Sequence, residues 1–175
     1  MRRLTLGLFV FACGCAPSAV EPHAASLTAP GTLAQSLSTG SRDAVARSQI
    51  APLFFGTAPD ARGATITSGP HFYAVSLPRD GHSLVLHGVD VVHAEAEAMP
   101  PDSAQAASDG PRATVRGRPA TMLVNEGIRS VAWEENGTHW SVEVECFRPF
   151  DDPRCTDDEY VLAEAAALVS LRGAR

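Results

Sequence analysis

Residues 128–145 read IRSVAWEENGTHWSVEVE, and this stretch decides the fold. Asn136-Gly137 is the residue pair that a two-residue type I′ hairpin turn prefers. A two-residue turn fixes the strand register, so the apolar side chains collect on one face and the Ser, His and Glu side chains on the other. The stretch therefore predicts a half-buried antiparallel hairpin. The cross-strand pairs that this register predicts are Trp133 with Trp140, Val131 with Val142, and Arg129 with Val144.

Further strands are predicted on the amino-terminal side of this hairpin. Runs rich in β-forming residues alternate with turns that contain Gly or Pro, the pattern typical of antiparallel hairpins. The turn Pro78-Arg79-Asp80-Gly81 separates one pair of strands, and Gly117 separates another. The predicted strands are 64–68, 72–77, 83–86, 113–116 and 120–124.

The last element is predicted to be a helix. Thr156 and Glu159 fit a capping box, in which the two side chains bind each other's backbone N–H groups. An apolar stripe with helical spacing follows. Its members are Val161, Leu162, Ala165, Leu168 and Val169. The expected fold is therefore α+β, a curved antiparallel sheet with one C-terminal helix packed on its apolar face.

The amino terminus, MRRLTLGLFVFACGCA at residues 1–16, has the pattern of a secretion signal. Arg2 and Arg3 precede a short apolar run, which is well below the roughly 20 residues of a membrane-spanning helix. The junction resembles that of a bacterial lipoprotein, in which a Cys becomes the first mature residue and carries lipid. Cys15 is the preferred lipidation site and Cys13 the alternative. A secreted protein cut nearby, or a Cys13–Cys15 disulfide, remains an open alternative.

These patterns divide the chain into three expected parts. Residues 1–14 are the signal peptide. Residues 15–48 hold the lipidated Cys and a flexible tether, because their Ala, Ser, Thr, Pro and Gly content offers few large apolar side chains to bury. A short helix near Asp43 to Ser48 is the open alternative within this tether. Residues 49–175 form the globular domain.

Composition limits the kinds of partner. The chain has a net charge of −6, and all 14 of its basic residues are Arg. An acidic surface without a basic stripe disfavours nucleic acid as a partner. The sequence holds no nucleophile elbow, phosphate loop, dinucleotide fingerprint or zinc-protease motif. We therefore expect no catalytic residues, no cofactor and no metal.

The segment CFRPFDDPRC lies between the predicted hairpin and the helix. A disulfide between Cys146 and Cys155 is expected, because an exported chain meets an oxidising compartment. A thiolate metal site would need about four ligands, and the domain supplies only these two thiols. Inside the loop, one of Phe147 and Phe150 is expected to pack beneath it and the other to be exposed as a contact for a partner.

The C-terminal third resembles an extracytoplasmic domain of unknown function that occurs in bacterial lipoproteins and anti-sigma factors. The residues that carry the resemblance are Gly117, Ala120, Trp133, Glu134, Glu135, Gly137, Asp158, Glu159 and Leu168. The resemblance implies kinship with the periplasmic sigma-regulator and lipoprotein-carrier superfamily, whose curved sheet can cradle a lipid. It brings no catalytic residues to this chain.

The expected function is that of a non-enzymatic, membrane-anchored lipoprotein of the bacterial cell envelope, facing the periplasm or the exterior. Its small domain would bind or sense a partner, either an envelope protein or a hydrophobic ligand. One alternative is a carrier of lipid or another hydrophobic ligand, with Tyr73, Val75, Leu84 and Leu86 lining a cavity. The other alternative is a hydrolase with an unrecognised site.

Removal of the lipidated thiol tests the anchor. Cys15→Ser should move the protein from the membrane fraction to the soluble or unprocessed fraction, because acyl chains such as palmitate hold a lipoprotein in the bilayer. Fractionation with and without detergent measures the shift, and Cys13→Ser tests the alternative residue. If both variants fractionate like the parent, neither cysteine carries lipid.

Overall fold

The computed structural model describes residues 30–56, 58–90 and 112–172. The helices are α1 (Pro30–Ser36), α2 (Thr39–Arg47), α3 (Ala58–Gly63), α4 (Pro153–Thr156) and α5 (Asp158–Ala166). The strands are β1 (Leu53–Phe54), β2 (Thr65–Ser68), β3 (Phe72–Arg79), β4 (His82–Asp90), β5 (Arg112–Val115), β6 (Arg118–Asn125), β7 (Ile128–Glu135), β8 (Thr138–Cys146) and β9 (Val169–Ser170). The expected α+β fold class is confirmed.

Seven strands form one open antiparallel sheet in the order β2-β3-β4-β8-β7-β6-β5. The predicted hairpin register is confirmed, since Trp133 lies opposite Trp140. Asn136 and Gly137 have φ values of 54° and 73° at its turn. These positive values are those of a type I′ turn, which glycine and asparagine adopt more readily than other residues.

The sheet buries one face and leaves the other largely polar. Alternation along each strand places the large apolar side chains on the same side, as the sequence pattern requires. The buried residues on that side are Ile66, Tyr73, Val75, Leu77, Leu84, Leu86, Val115, Ala120, Met122, Val131, Trp133, Trp140, Val142 and Val144. Thus the two tryptophans lie in the core, as predicted.

Helices from both ends of the described chain complete this core. Leu33 of α1 and Val161 of α5 are fully buried in the same apolar cluster. The two-stranded sheet β1–β9 joins the segment after α2 to the segment after α5. None of the helices in these described ranges has the length and apolar character needed to cross a membrane.

The structure contradicts two expectations from the sequence. The tether predicted for residues 15–48 is wrong from residue 30 onward, because α1 and α2 form there, and Ala44 of α2 and Leu37 between the two helices are buried in the core. Residues 15–29 lie outside the described ranges. The predicted capping box at Thr156 is also wrong. Thr156 ends α4, and the Asp157 side chain accepts the backbone N–H of Glu159 at the start of α5.

Gly88 offers a test of core packing. A Cβ at this position would lie 2.5 Å from Cζ3 of Trp140 on the neighbouring strand. Because the ring is buried, we expect Gly88→Ala to lower the free energy of unfolding by about 1–3 kcal/mol. Urea denaturation measures this change.

Gly40 in α2 is the matched control, because a Cβ there meets nothing within 4 Å. Alanine favours a helix more than glycine does, so Gly40→Ala should not lower the free energy of unfolding. Equal unfolding midpoints for Gly88→Ala and the parent would contradict the packing of Trp140 on Gly88.

Candidate functional site

The Cys146–Cys155 pair anchors the loop that the sequence singled out. Cys146 is the last residue of β8, and Cys155 lies in α4. Their sulfur atoms are 2.14 Å apart and their Cα atoms 6.2 Å apart, so the pair is at disulfide distance. We call residues 147–154, which this pair encloses, the disulfide loop.

Hydrogen bonds inside the disulfide loop define its shape. The backbone N–H groups of Asp151 and Asp152 both donate to the carbonyl of Arg148. The Asp152 carboxylate then accepts the backbone N–H of Arg154 and caps α4. Pro153 occupies the first turn of that helix, where its missing N–H and fixed φ are tolerated.

Two turns of the sheet, between β3 and β4 and between β6 and β7, contact the disulfide loop. The N–H of Phe147 donates to the carbonyl of Gly81 in the β3–β4 turn at 3.1 Å. A Cβ on Gly127, in the β6–β7 turn, would lie 2.7 Å from Cβ of Pro149. The absence of a side chain on that glycine therefore lets the loop pack directly against the turn.

Phe147 and Phe150 are displayed by this supported loop. They are 82% and 81% exposed. The expectation that one of them packs beneath the loop is therefore wrong. The turns that carry Gly81 and Gly127 already contact the loop on that side, and both aromatic rings point outward.

A buried polar cluster lies under the loop, around His82 at the start of β4. His82 is only 4% exposed. Its Nδ1 lies 2.7 Å from Nη1 of Arg154, and its Nε2 lies 2.7 Å from Oη of Tyr160. Nδ1 also faces the Asp80 carbonyl at 3.1 Å, but the guanidinium is closer and can only donate. In the neutral ring Nδ1 therefore accepts, and Nε2 donates its proton to Tyr160.

The surroundings of His82 favour this neutral form. Burial lowers the pKa of His82, and the charges of Arg154 and Arg79 lower it further. The Asp80 carbonyl and the Asp152 carboxylate oppose this effect. A histidine on a strand of a half-polar sheet is expected to be solvated, and the burial of His82 contradicts that expectation. The signal that could have found it is alternation, which puts His82 on the same face as the buried Leu84 and Leu86.

Arg79 extends the cluster toward the helices. Its guanidinium donates to Oδ2 of Asp60 at 3.0 Å, to Oε1 of Glu164 at 2.6 Å and to Oη of Tyr160 at 2.9 Å. Burial and the Glu164 charge raise the pKa of Tyr160 to about 12, so its hydroxyl stays protonated at neutral pH. The cluster thus binds the β3–β4 turn to α3, α4 and α5.

The remaining candidate residues from the sequence are the lipidation sites and the side chains that would line a carrier cavity. The alternative lipidation sites Cys13 and Cys15 lie outside the described residues. Tyr73, Val75, Leu84 and Leu86 are fully buried in the core. In the described ranges no group of three His, Cys, Asp or Glu side chains could hold a metal ion.

Comparison of the chain with known protein families, curated proteins and solved structures found no match. The resemblance drawn from the sequence therefore stays a prediction.

The lowered pKa of His82 predicts a loss of stability in acid. Above the ordinary histidine pKa of about 6.5, His82 is neutral in both the folded and unfolded chain. As the pH falls through that value, the unfolded chain takes up the proton first, because the folded pKa is lower. The free energy of unfolding should therefore fall with pH below about 6.5 until the folded pKa is reached.

His82→Gln should make the free energy of unfolding less dependent on pH. Urea denaturation at several pH values, from neutral pH to below the ordinary histidine pKa, measures this dependence. It should also lower the free energy of unfolding at neutral pH by about 1–3 kcal/mol, because hydrogen bonds in a buried cluster are disturbed. His87→Gln, at an exposed position of the same strand, is the matched control for the loss of an imidazole. If the two variants show the same pH dependence, His82 is not the responsible group.

Proposed function

We propose that this chain is a non-enzymatic lipoprotein of the bacterial cell envelope, anchored to a membrane by lipid on Cys15 or Cys13. Its domain binds a partner through the disulfide loop. The observation that carries the proposal is the exposure of Phe147 and Phe150, at 82% and 81%, on a supported loop.

The attachment of the loop explains why this exposure points to binding. A phenylalanine on a mobile backbone can bury its ring against the protein. Its ring therefore stays exposed only where the backbone is held in place. Here the Cys146–Cys155 pair, the bond from Phe147 to Gly81 and the packing of Pro149 on Gly127 hold the backbone. A contact surface that is already ordered loses less conformational entropy on binding, and therefore binds more tightly.

Charge and cysteine chemistry support the same assignment. Without Arg2 and Arg3 of the signal, the mature chain has 12 Arg against 20 acidic residues, a net charge of −8. This charge disfavours nucleic acid, and a hydrophobic ligand or an envelope protein suits two exposed phenylalanines better. A disulfide suits an exported chain.

The two alternative functions have less support. A carrier would need spare volume beside Tyr73, Val75, Leu84 and Leu86, yet all four side chains are fully buried. A hydrolase built on a Ser–His–Asp arrangement would need a histidine with a nitrogen available to the nucleophile. Both ring nitrogens of the buried His82 already contact protein atoms.

Photo-crosslinking from the loop tests the proposal. A benzophenone amino acid at position 147 of the full chain should form discrete adducts with lipid or protein when native envelopes are irradiated. The control carries the same group at Phe72, which is 46% exposed at the opposite end of the sheet. Mass spectrometry of the adducts gives the readout. Adducts at position 147 no more abundant than at position 72 would overturn the loop as the binding site.

A further inference from the structure

We propose that the disulfide loop docks on the zwitterionic lipid surface of the membrane that holds the anchor, an inference that rests on the proposed function. Phe147 and Phe150 enter the interfacial layer, and the rest of the domain stands above it. Apolar rings transferred from water into that layer gain hydrophobic free energy, in the same way as aromatic anchors of other interfacial proteins.

The charges of the loop favour a zwitterionic surface. Its four charged residues form two internal ion pairs. Arg148 pairs with Asp151 at 3.0 Å, and Arg154 pairs with Asp152 at 2.5 Å. The loop therefore carries no net charge, and its carboxylates already have partners when they approach the head groups. An anionic surface would instead be repelled by the acidic chain as a whole.

The path of the chain places the loop and the start of the fold at the same end of the sheet. Asp60 of α3 binds Arg79 beside the β3–β4 turn, and α1 packs on α3. The same turn carries Gly81, which accepts the N–H of Phe147. The described chain therefore begins near the end of the sheet that displays the two phenylalanines.

The length of chain between the proposed anchor and α1 is compatible with this contact. Cys15 is separated from Pro30 by a segment that extends at most about 50 Å, at roughly 3.3–3.6 Å per residue. A chain of this length allows the loop to reach the bilayer and keeps it at a high effective concentration near the surface. Because the domain is tethered, weak insertion of two side chains is enough to orient it.

Lipid quenching of a tryptophan in the loop tests the docking. The lipidated full chain with Phe147→Trp is reconstituted into phosphatidylcholine vesicles that contain brominated phosphatidylcholine. We expect the added tryptophan to show blue-shifted emission and to be quenched by the bromine atoms. The native Trp133 and Trp140 are each only 2% exposed, so the parent protein supplies their emission as background.

Phe72→Trp is the matched control, because Phe72 is exposed at the opposite end of the sheet. Its emission should not be quenched by brominated lipid. Neither Phe147 nor Phe72 belongs to the buried core, so neither substitution removes a core side chain. Quenching at position 147 no greater than at position 72 would overturn the docking.

The result also separates the two proposals. Discrete protein adducts from position 147 without bromolipid quenching would overturn the lipid surface as partner and leave the loop as the binding site. A concentration-dependent dimer that Phe147→Ser abolishes, again without quenching, would identify a second copy of the chain as the occupant and overturn the docking. Absence of both adducts and quenching would overturn the binding loop itself.

Discussion

The pairing of β4 with β8 is the contact on which the rest of the structure depends. It joins residues 82–90 to residues 138–146 through nine opposed pairs, and it connects the β2-β3-β4 group to the β5–β8 group. Closing the long segment between these strands costs conformational entropy, which the burial of their central apolar side chains offsets. The first pair of this ladder is His82 opposite Cys146. The polar cluster around His82 and the disulfide loop after Cys146 therefore lie side by side at this end of the β4–β8 pairing.

Arginine side chains attach the helices to the rest of the fold. Arg116 donates to the carbonyl of Leu168 just after α5, and Arg129 donates to the carbonyl of Cys155 in α4. Arg172 donates to the carbonyls of Val45 and Ser48 at the end of α2. The last carbonyls of a helix lack partners within the helix, and a guanidinium can reach two acceptors at once. These arginines therefore have a structural role, which the amino-acid composition alone did not indicate.

The sequence predicted those parts of the fold that depend on residues close together in the chain. The turn at Asn136-Gly137 sets the register of β7 and β8 by itself, so the hairpin and its buried face could be derived from one stretch of sequence. Residues 30–48 could not, because their helices depend on contacts far along the chain. The Ser68 hydroxyl donates to the carbonyl of Ala44, and α1 buries Leu33 against a core made by other elements. The exposure of both loop phenylalanines likewise depends on turns at Gly81 and Gly127, which are distant in sequence.

The attachments of the disulfide loop respond to different conditions. The Cys146–Cys155 pair responds to redox state, and the contact between His82 and Arg154 responds to protons. The packing of Pro149 on Gly127 responds to neither, because it consists of apolar atoms in van der Waals contact. Protonation of His82 would put a donor opposite the Arg154 guanidinium and weaken that one contact. The covalent and apolar attachments would still hold the backbone beside Phe147 and Phe150. The loop therefore keeps its aromatic surface over a wider range of acidity than the buried cluster beneath it keeps its hydrogen bonds.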